Sequence, residues 1–530
     1  MKTLDIIILL LYMGGIILLG VYLGRKNESG EEYFNGGRSM PWYALGLSVG
    51  LTMISANSFI GGPGWGYHSG MMAAMVNISI PLCIAFCTYT ILPVIYHAKV
   101  TTVYEYVNMR LGPKTRILNV VIWSLQSMIF IGGFVYTPSL VLEAITNIDM
   151  NVWIPVIMVI TIIMTIIGGI KAVIWTDMIQ GIVLFVGLLI SIYIAINKID
   201  MPLSQILDIA RDNNLTQSFD FIFDKDTLNV FCVFIGGAAM WMGYFGFDQG
   251  QVQRYISAKD MRTIKKTGVM STLSMQFIYW LCFLLGIILF VFYKKYDRTL
   301  DFGNANNVMT DFLINHVQSG ILGILLSATF AATMSSINSV LNSLTAVFVK
   351  DIYEPYIVKK TGTTLKQSMI FTTIFGVIII LFVYLYLGDN TASILQTIGT
   401  YVAPFGALLT GMMIVCCFMP SANDNGVFIG ALLAGIISFY ISEQYSMYYL
   451  WTYFYGSVLC ILLSWICSKF FYSEKEAREK YKYTIYGTIK SVKGRVDHTG
   501  SSVEPLKFDR YAYIMIAIMV IQCIVLFMIE

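Results

Sequence analysis

The sequence predicts an all-α polytopic membrane protein with about 14 transmembrane helices, and three observations carry that prediction. Of 530 residues, 57% are hydrophobic and 12% charged, about half the charge of an ordinary soluble domain. The apolar residues gather in runs of about 20, the length at which a helix crosses the hydrocarbon while satisfying its own backbone hydrogen bonds. Lysine and arginine concentrate in alternate gaps between these runs, as topology in a membrane requires.

Taken in order, the first run, 3–23, leads the chain. A second run follows it with no small-residue cleavage site between, so it reads as a retained helix and not as a signal peptide. The second, 41–67, is interrupted by SANSFIGGPGWG, which places Ser55, Asn57, Ser58, four glycines and Pro63 inside an apolar stretch. Runs 71–96, 117–143, 152–168 and 173–196 come next. In the loop 197–228 that follows, SQILDIARDNN has the spacing of a short amphipathic surface helix. The seventh run, 229–253, is interrupted again, by GGAAMWMGYFGFDQGQ. Runs 267–293, 320–349, 367–387 and 392–418 complete a block over 41–418, and 427–442, 447–468 and 511–529 close the chain. The charged stretch 469–510 reads as a short surface helix and linker. Residues 1–530 therefore form one transmembrane domain.

With the N-terminus outside, the loops 24–40, 97–116, 169–172, 254–266, 350–366 and 469–510 face the cytoplasm and hold 27 of the 34 lysines and arginines. Both termini are then external, in a cell membrane that the low-cysteine layout suggests is a bacterial inner membrane. No Lys or Arg falls inside a run. The nine cysteines lie in or at the ends of apolar runs, so disulfides are not expected. There is no phosphate-binding G-x-x-x-x-G-K-[ST] loop, no H-E-x-x-H and no C-x-x-C, and no basic stripe interleaved with aromatics. An ATP-driven pump, a metal enzyme and a nucleic-acid binder are disfavoured.

The two interrupted runs stand five spans apart. Paired interruptions at equivalent positions point to an inverted-repeat transporter with its site at the midplane, although glycine and proline also serve close packing in membrane helices. Apart from Asp5 and Glu143 at run ends, two acids lie within runs, Asp177 and Asp248. Without an intramembrane base, each needs a cation, a proton or water, unless it sits hydrated near the headgroups. Ala332, Ser335, Ser336 and Ser339 recur on one helix face. Their hydroxyls, a freed carbonyl and unwound carbonyls around Leu51 to Ile54 would give a small monovalent cation neutral oxygen ligands. Small residues at this spacing also suit simple helix packing.

ISANSFIG, VTTVYEYVNMRLG, GGIKAVIWTDMIQG, DQGQVQRYISAKD and SSINSVLNSLTAVFVKDIY occur in this order, and through them the chain resembles the sodium/solute symporters from the first span to at least residue 420. That group includes sodium-glucose, iodide, monocarboxylate and multivitamin cotransporters and bacterial galactose and sialic acid carriers. The resemblance implies a LeuT-like 5+5 inverted-repeat core in spans two to eleven. It implies a main sodium site at Leu51, Ile54, Ala332, Ser335 and Ser336, and a second at Asp177, Asn338 and Ser339, where Asn338 departs from the hydroxyl residue of two-sodium members. In the sugar carriers a glutamine matching Gln396 and an aromatic gate matching Tyr244 line the cavity. Their third-span glutamate aligns with Asn77, and Phe130 is the nearest match to the arginine by which sialic acid carriers hold a carboxylate.

The partners so implied are sodium, a small solute and the bilayer; nothing points to an obligate protein partner. With no cationic side chain in any run, a neutral polyol could be held by Asn57, Ser58, Asn77 and Gln396 with Tyr244 stacking, and Ser55 beside them. The reading leans to sodium-coupled import of a neutral sugar-like solute, with an organic anion or proton coupling as alternatives.

Overall fold

A computed structural model describes residues 2–24, 33–34, 36–296, 305–359, 364–386, 394–445 and 447–530. Among them the chain is almost entirely helical, with two isolated β-bridges in place of any sheet. Eleven helices among the described residues are long and apolar enough to cross a membrane, from Thr3–Leu23 to Arg510–Ile529. The other three expected spans appear as shorter apolar helices: Trp42–Leu51, Met150–Ile166 and Cys232–Phe247.

Each short helix has a local cause. Trp42–Leu51 stops at a turn through Thr52–Ser55, and the chain resumes as a wide helical turn, Asn57–Gly61, continued by Gly62–Ser69. Cys232–Phe247 stops where Asp248 takes an extended ψ of 124°, then resumes as Gln249–Ile256. Met150–Ile166 is divided from Gly168–Ile199 at Gly169, with φ 59° and ψ −174°, a conformation that a side chain would resist.

The first broken helix lies along the long helix Met261–Lys295. A Cβ on Gly46 would come within 2.4 Å of Met270 Cβ, and one on Gly50 within 2.2 Å of Ser274 Oγ. This small-xxx-small spacing lets the two backbones approach. On the other side, the helices of Met150–Ile199 pack along Ile321–Val347. The leading helix braces that second group: Asp5 accepts hydrogen bonds from Gly320 N at 2.6 Å and Gly323 N at 3.1 Å, capping Ile321–Val347.

Leu203–Asp212 is the expected surface helix, burying only Ile206 and Ala210. The stretch 469–510 differs from the expected linker. Glu474–Lys480 is exposed, but beyond it the chain docks under the helices. Tyr106 Oη donates to Tyr483 O at 2.7 Å, Leu506 N donates to Tyr89 O at 2.6 Å, and Lys265 Nζ stands 2.8 Å from Asp509. Its charged composition concealed this, because the anchoring groups belong to helices remote in sequence.

Candidate functional site

The turn that ends Trp42–Leu51 is closed by Ile54 N donating to Leu51 O at 3.0 Å. It lies against Ile321–Val347, where Ser336 Oγ is 2.7 Å from Thr52 O and 3.1 Å from Ala332 O. Leu51, Ile54, Ala332 and Ser336 of the expected main ion set therefore meet at one buried crossing. The Asp177 helix can approach because Gly181 faces the break: a Cβ there would fall 1.7 Å from Leu51 Cδ1. Carbonyls freed by the break and a hydroxyl from the opposing helix form a neutral oxygen cluster, the chemistry a weakly held monovalent cation needs.

Ser335 turns away from this crossing and donates to Asp177 Oδ1 at 2.7 Å. Asp177 Oδ2 receives Ser48 Oγ at 2.5 Å, Ser339 Oγ at 3.2 Å and Arg254 Nη2 at 2.9 Å. Arg254 also donates from Nε to Ser48 Oγ at 2.6 Å and contacts Ser339 Oγ and Gly250 O. This corrects the expectation that no basic side chain lies among the spans and that Asp177 lacks a charged partner. Arg254 is fully buried. It escaped notice because hydropathy ends the run at 253, while the helix Gln249–Ile256 continues with every residue buried. The dense polar pattern DQGQVQRY was the available signal, since polar residues packed so closely are buried only when they bond one another.

Asn338 does not join Asp177. Its Oδ1 accepts from Thr165 Oγ1 at 2.7 Å, because position 338 faces the Met150–Ile166 helix. Asp248 is likewise engaged: Trp123 Nε1 donates to it at 2.7 Å, and it caps Gln249–Ile256 by accepting from Gln251 N at 3.2 Å. Asp177 is thus paired with a cation, Arg254, and Asp248 with neutral donors.

Beside the break lies a cavity of about 110 Å³, lined by Ser55, Asn57, Ser58, Asn77 and Phe130 among others. Thr137 donates to Asn57 Oδ1, which leaves Asn57 Nδ2 as a buried donor with no hydrogen-bond partner among the described residues. Tyr244 is not in this wall. It lines a neighbouring pocket of about 30 Å³ with Met53, Phe130 and Asp248, and its hydroxyl meets Gln251. The side chain of Gln396 lies outside the described residues. Sequence reasoning missed the aromatic wall of Trp65, Trp241, Tyr279, Phe283, Tyr449 and Tyr453, because rings scattered over four distant helices share no motif. No Lys or Arg lines the cavity among the described residues.

A family model described as the sodium:solute symporter family matches residues 33–435. This chain belongs to that family. Among curated relatives, this symporter is 26% identical over 480 residues to a sodium/sialic acid symporter of Aliivibrio fischeri, covering 88% of this chain and 94% of that protein. It is 26% identical to the sodium-coupled monocarboxylate transporter 1 of Xenopus laevis, covering 81% and 70%. Among solved structures, a substrate-bound, outward-open sodium-coupled sialic acid symporter superposes with a TM-score of 0.79 at 25% identity, covering 88% of this chain and 98% of that one. Mhp1, a nucleobase-cation-symport-1 transporter, shares the fold with a TM-score of 0.54 at 14% identity, covering 86% and 99%. This symporter is thus a multi-pass, sodium-coupled solute carrier of LeuT-like fold, and not an enzyme.

Proposed function

We propose that this symporter imports a small organic carboxylate together with one sodium ion. The observation that carries the reading is Asn57: Thr137 occupies its carbonyl oxygen, so the group that this cavity-lining side chain leaves unpaired is a donor. A carboxylate accepts only, whereas every buried hydroxyl of a polyol also needs an acceptor. The relatives named above, which carry sialic acid and monocarboxylates, likewise favour the anion over the neutral sugar toward which the sequence leaned.

The sodium ion sits at the crossing of Leu51, Ile54, Ala332 and Ser336, with Ser335 able to turn toward it. Bound there, its charge holds the break against Ile321–Val347 and adds to the positive end of the resumed half-helix, where the carboxylate docks. Solute and ion thereby stabilise the same arrangement, which is the thermodynamic content of coupling. A second sodium at Asp177 would have to share that carboxylate with Arg254, so one ion is proposed. The lysine and arginine distribution supports external termini.

The test is uptake into proteoliposomes under an inward sodium gradient, with labelled sialic acid, lactate, nicotinate and glucose. Sodium-dependent accumulation of an acid is expected. Accumulation of glucose and of none of the acids would overturn the anion reading, and acid uptake that persists when choline replaces sodium would overturn the coupling.

A further inference from the structure

We propose that Tyr449 and Tyr453, on a helix outside the repeat core, touch the solute and set its size. The inference rests on the carboxylate reading above. Both side chains belong to Tyr449–Phe470, beyond the block 41–418, yet both line the solute cavity, and Tyr453 also lines the neighbouring Tyr244 pocket. They reach it past Ile394–Phe418 at positions where that helix has no side chain. A Cβ on Gly399 would lie 3.0 Å from the Tyr449 ring, and one on Gly406 would lie 2.4 Å from the Tyr453 ring and 3.1 Å from its hydroxyl.

These contacts make two notches, two helical turns apart, each filled by one ring. The seating is fixed by close packing below it: Ser457 Oγ donates to Ala407 O at 3.0 Å, and a Cβ on Gly411 would meet Cys460 Cβ at 2.5 Å. The rings therefore hold their places in the wall. The cavity then has two chemically distinct parts. Asn57 and Ser58 at the break offer polar groups to the carboxylate, and the phenol pair offers flat apolar faces edged by hydroxyls. The solute class that fits is a carboxylate with a compact or planar body that stacks on a ring. Its length is limited by Tyr453, which stands at the junction of the two pockets. Ion coupling resides in the core, and solute choice is shared with a helix appended to it.

The experiment compares full-length wild type with Tyr449→Ala, Tyr453→Ala and Tyr453→Phe in proteoliposomes, using lactate, nicotinate and sialic acid as probes. For Tyr453→Ala, the ratio of kcat/KM for the largest acid carried to that for the smallest should rise about tenfold or more, since pocket-filling atoms govern such discrimination. The sodium KM should stay within about twofold, because uniform ion binding is untouched. Tyr453→Phe, which keeps the ring in its notch, should preserve the ranking and raise the solute KM about fivefold, the worth of one neutral hydrogen bond. Should the alanine variants fail to fold, Tyr453→Leu decides, since it shortens the side chain without emptying the notch: an unchanged large-to-small ratio there overturns the contact. Unchanged ratios in folded alanine variants overturn the inference and leave the carboxylate reading standing. Uptake of no acid by wild type overturns both.

Discussion

The Arg254 guanidinium stands 2.9 Å from the Asp177 carboxylate, with both side chains fully buried. One end of this pair belongs to Gln249–Ile256, the continuation of the second broken helix, and the other to the helix that faces the first break. Ser48, on the first broken helix, bonds both partners, and Ser339, on the serine helix, bonds both as well. Four elements distant in sequence are thus tied at one ion pair.

Removing one partner should cost far more than the pair itself contributes. Arg254→Gln leaves a buried carboxylate uncompensated, a loss of about 3–5 kcal/mol, and should lower the thermal midpoint of the purified protein and abolish uptake. Arg254→Gln with Asp177→Asn should recover much of the midpoint. A double variant no more stable than Arg254→Gln alone would show that the pair is not what holds this region.

Ser336 and Asn338, on the same helix, should behave differently, because one meets the break and the other meets Thr165. Ser336→Ala should raise the sodium concentration for half-maximal uptake about tenfold or more, the cost of one ion ligand. Asn338→Ala should leave sodium dependence unchanged, since its oxygen serves Thr165. Sodium titrations of uptake read both, and a large effect at Asn338 would restore the second site.

Asn57→Asp replaces the free donor by a negative acceptor of the same shape. Acid uptake should fall at least about a hundredfold, since a lost charge-assisted bond is compounded by repulsion. Thr137→Val, which only frees the amide to turn, should raise the solute KM about fivefold.

One sodium ion and one monovalent anion carry no net charge inward, so uptake of a monovalent acid should not respond to membrane potential. Each extra charge would add about 2.3 kcal/mol per 100 mV. Potassium diffusion potentials imposed with valinomycin make the measurement, and acceleration by an inside-negative potential would establish a second ion.

The docked segment before the last helix carries a pH dependence of known sign. Burial pushes the Asp509 carboxyl up, but Lys265, the Tyr89 hydroxyl and the Tyr511 amide outweigh it and hold the group below its ordinary 3.8. The stabilisation is therefore fully present above that value and lost as pH falls through the lowered one. Amide exchange of residues 495–508, corrected for intrinsic rates, should speed as pH falls below the ordinary Asp value of about 4, after an earlier rise below about 6.5 from His97, whose ring meets Val503 O and whose pKa burial lowers. Asp509→Asn should speed it about tenfold at pH 7.

Much of the site was legible because it is made of backbone irregularity and short-range pattern. SANSFIGGPGWG announced the break, and Ala332, Ser335, Ser336 and Ser339 announced a polar face opposite it. The side-chain rotations that divide Ser335 from Ser336 and send Asn338 to Thr165 were not legible, since one helix face serves several neighbours at once. Arg254 was lost to a hydropathy boundary, and Tyr449 and Tyr453 to distance along the chain.

The sequence by itself determined that this chain is a bundle of membrane helices with two breaks, because hydrophobic length and unsatisfied backbone are local quantities. Only the tertiary structure decided which buried polar groups neutralise one another and which remain unpaired. Asp177 finds Arg254 across 77 positions, and Asn57 keeps a free donor because Thr137, 80 positions away, takes its oxygen. In a medium without water each such group must be satisfied by whatever the packing brings within about 3 Å, and that is settled by how the helices cross.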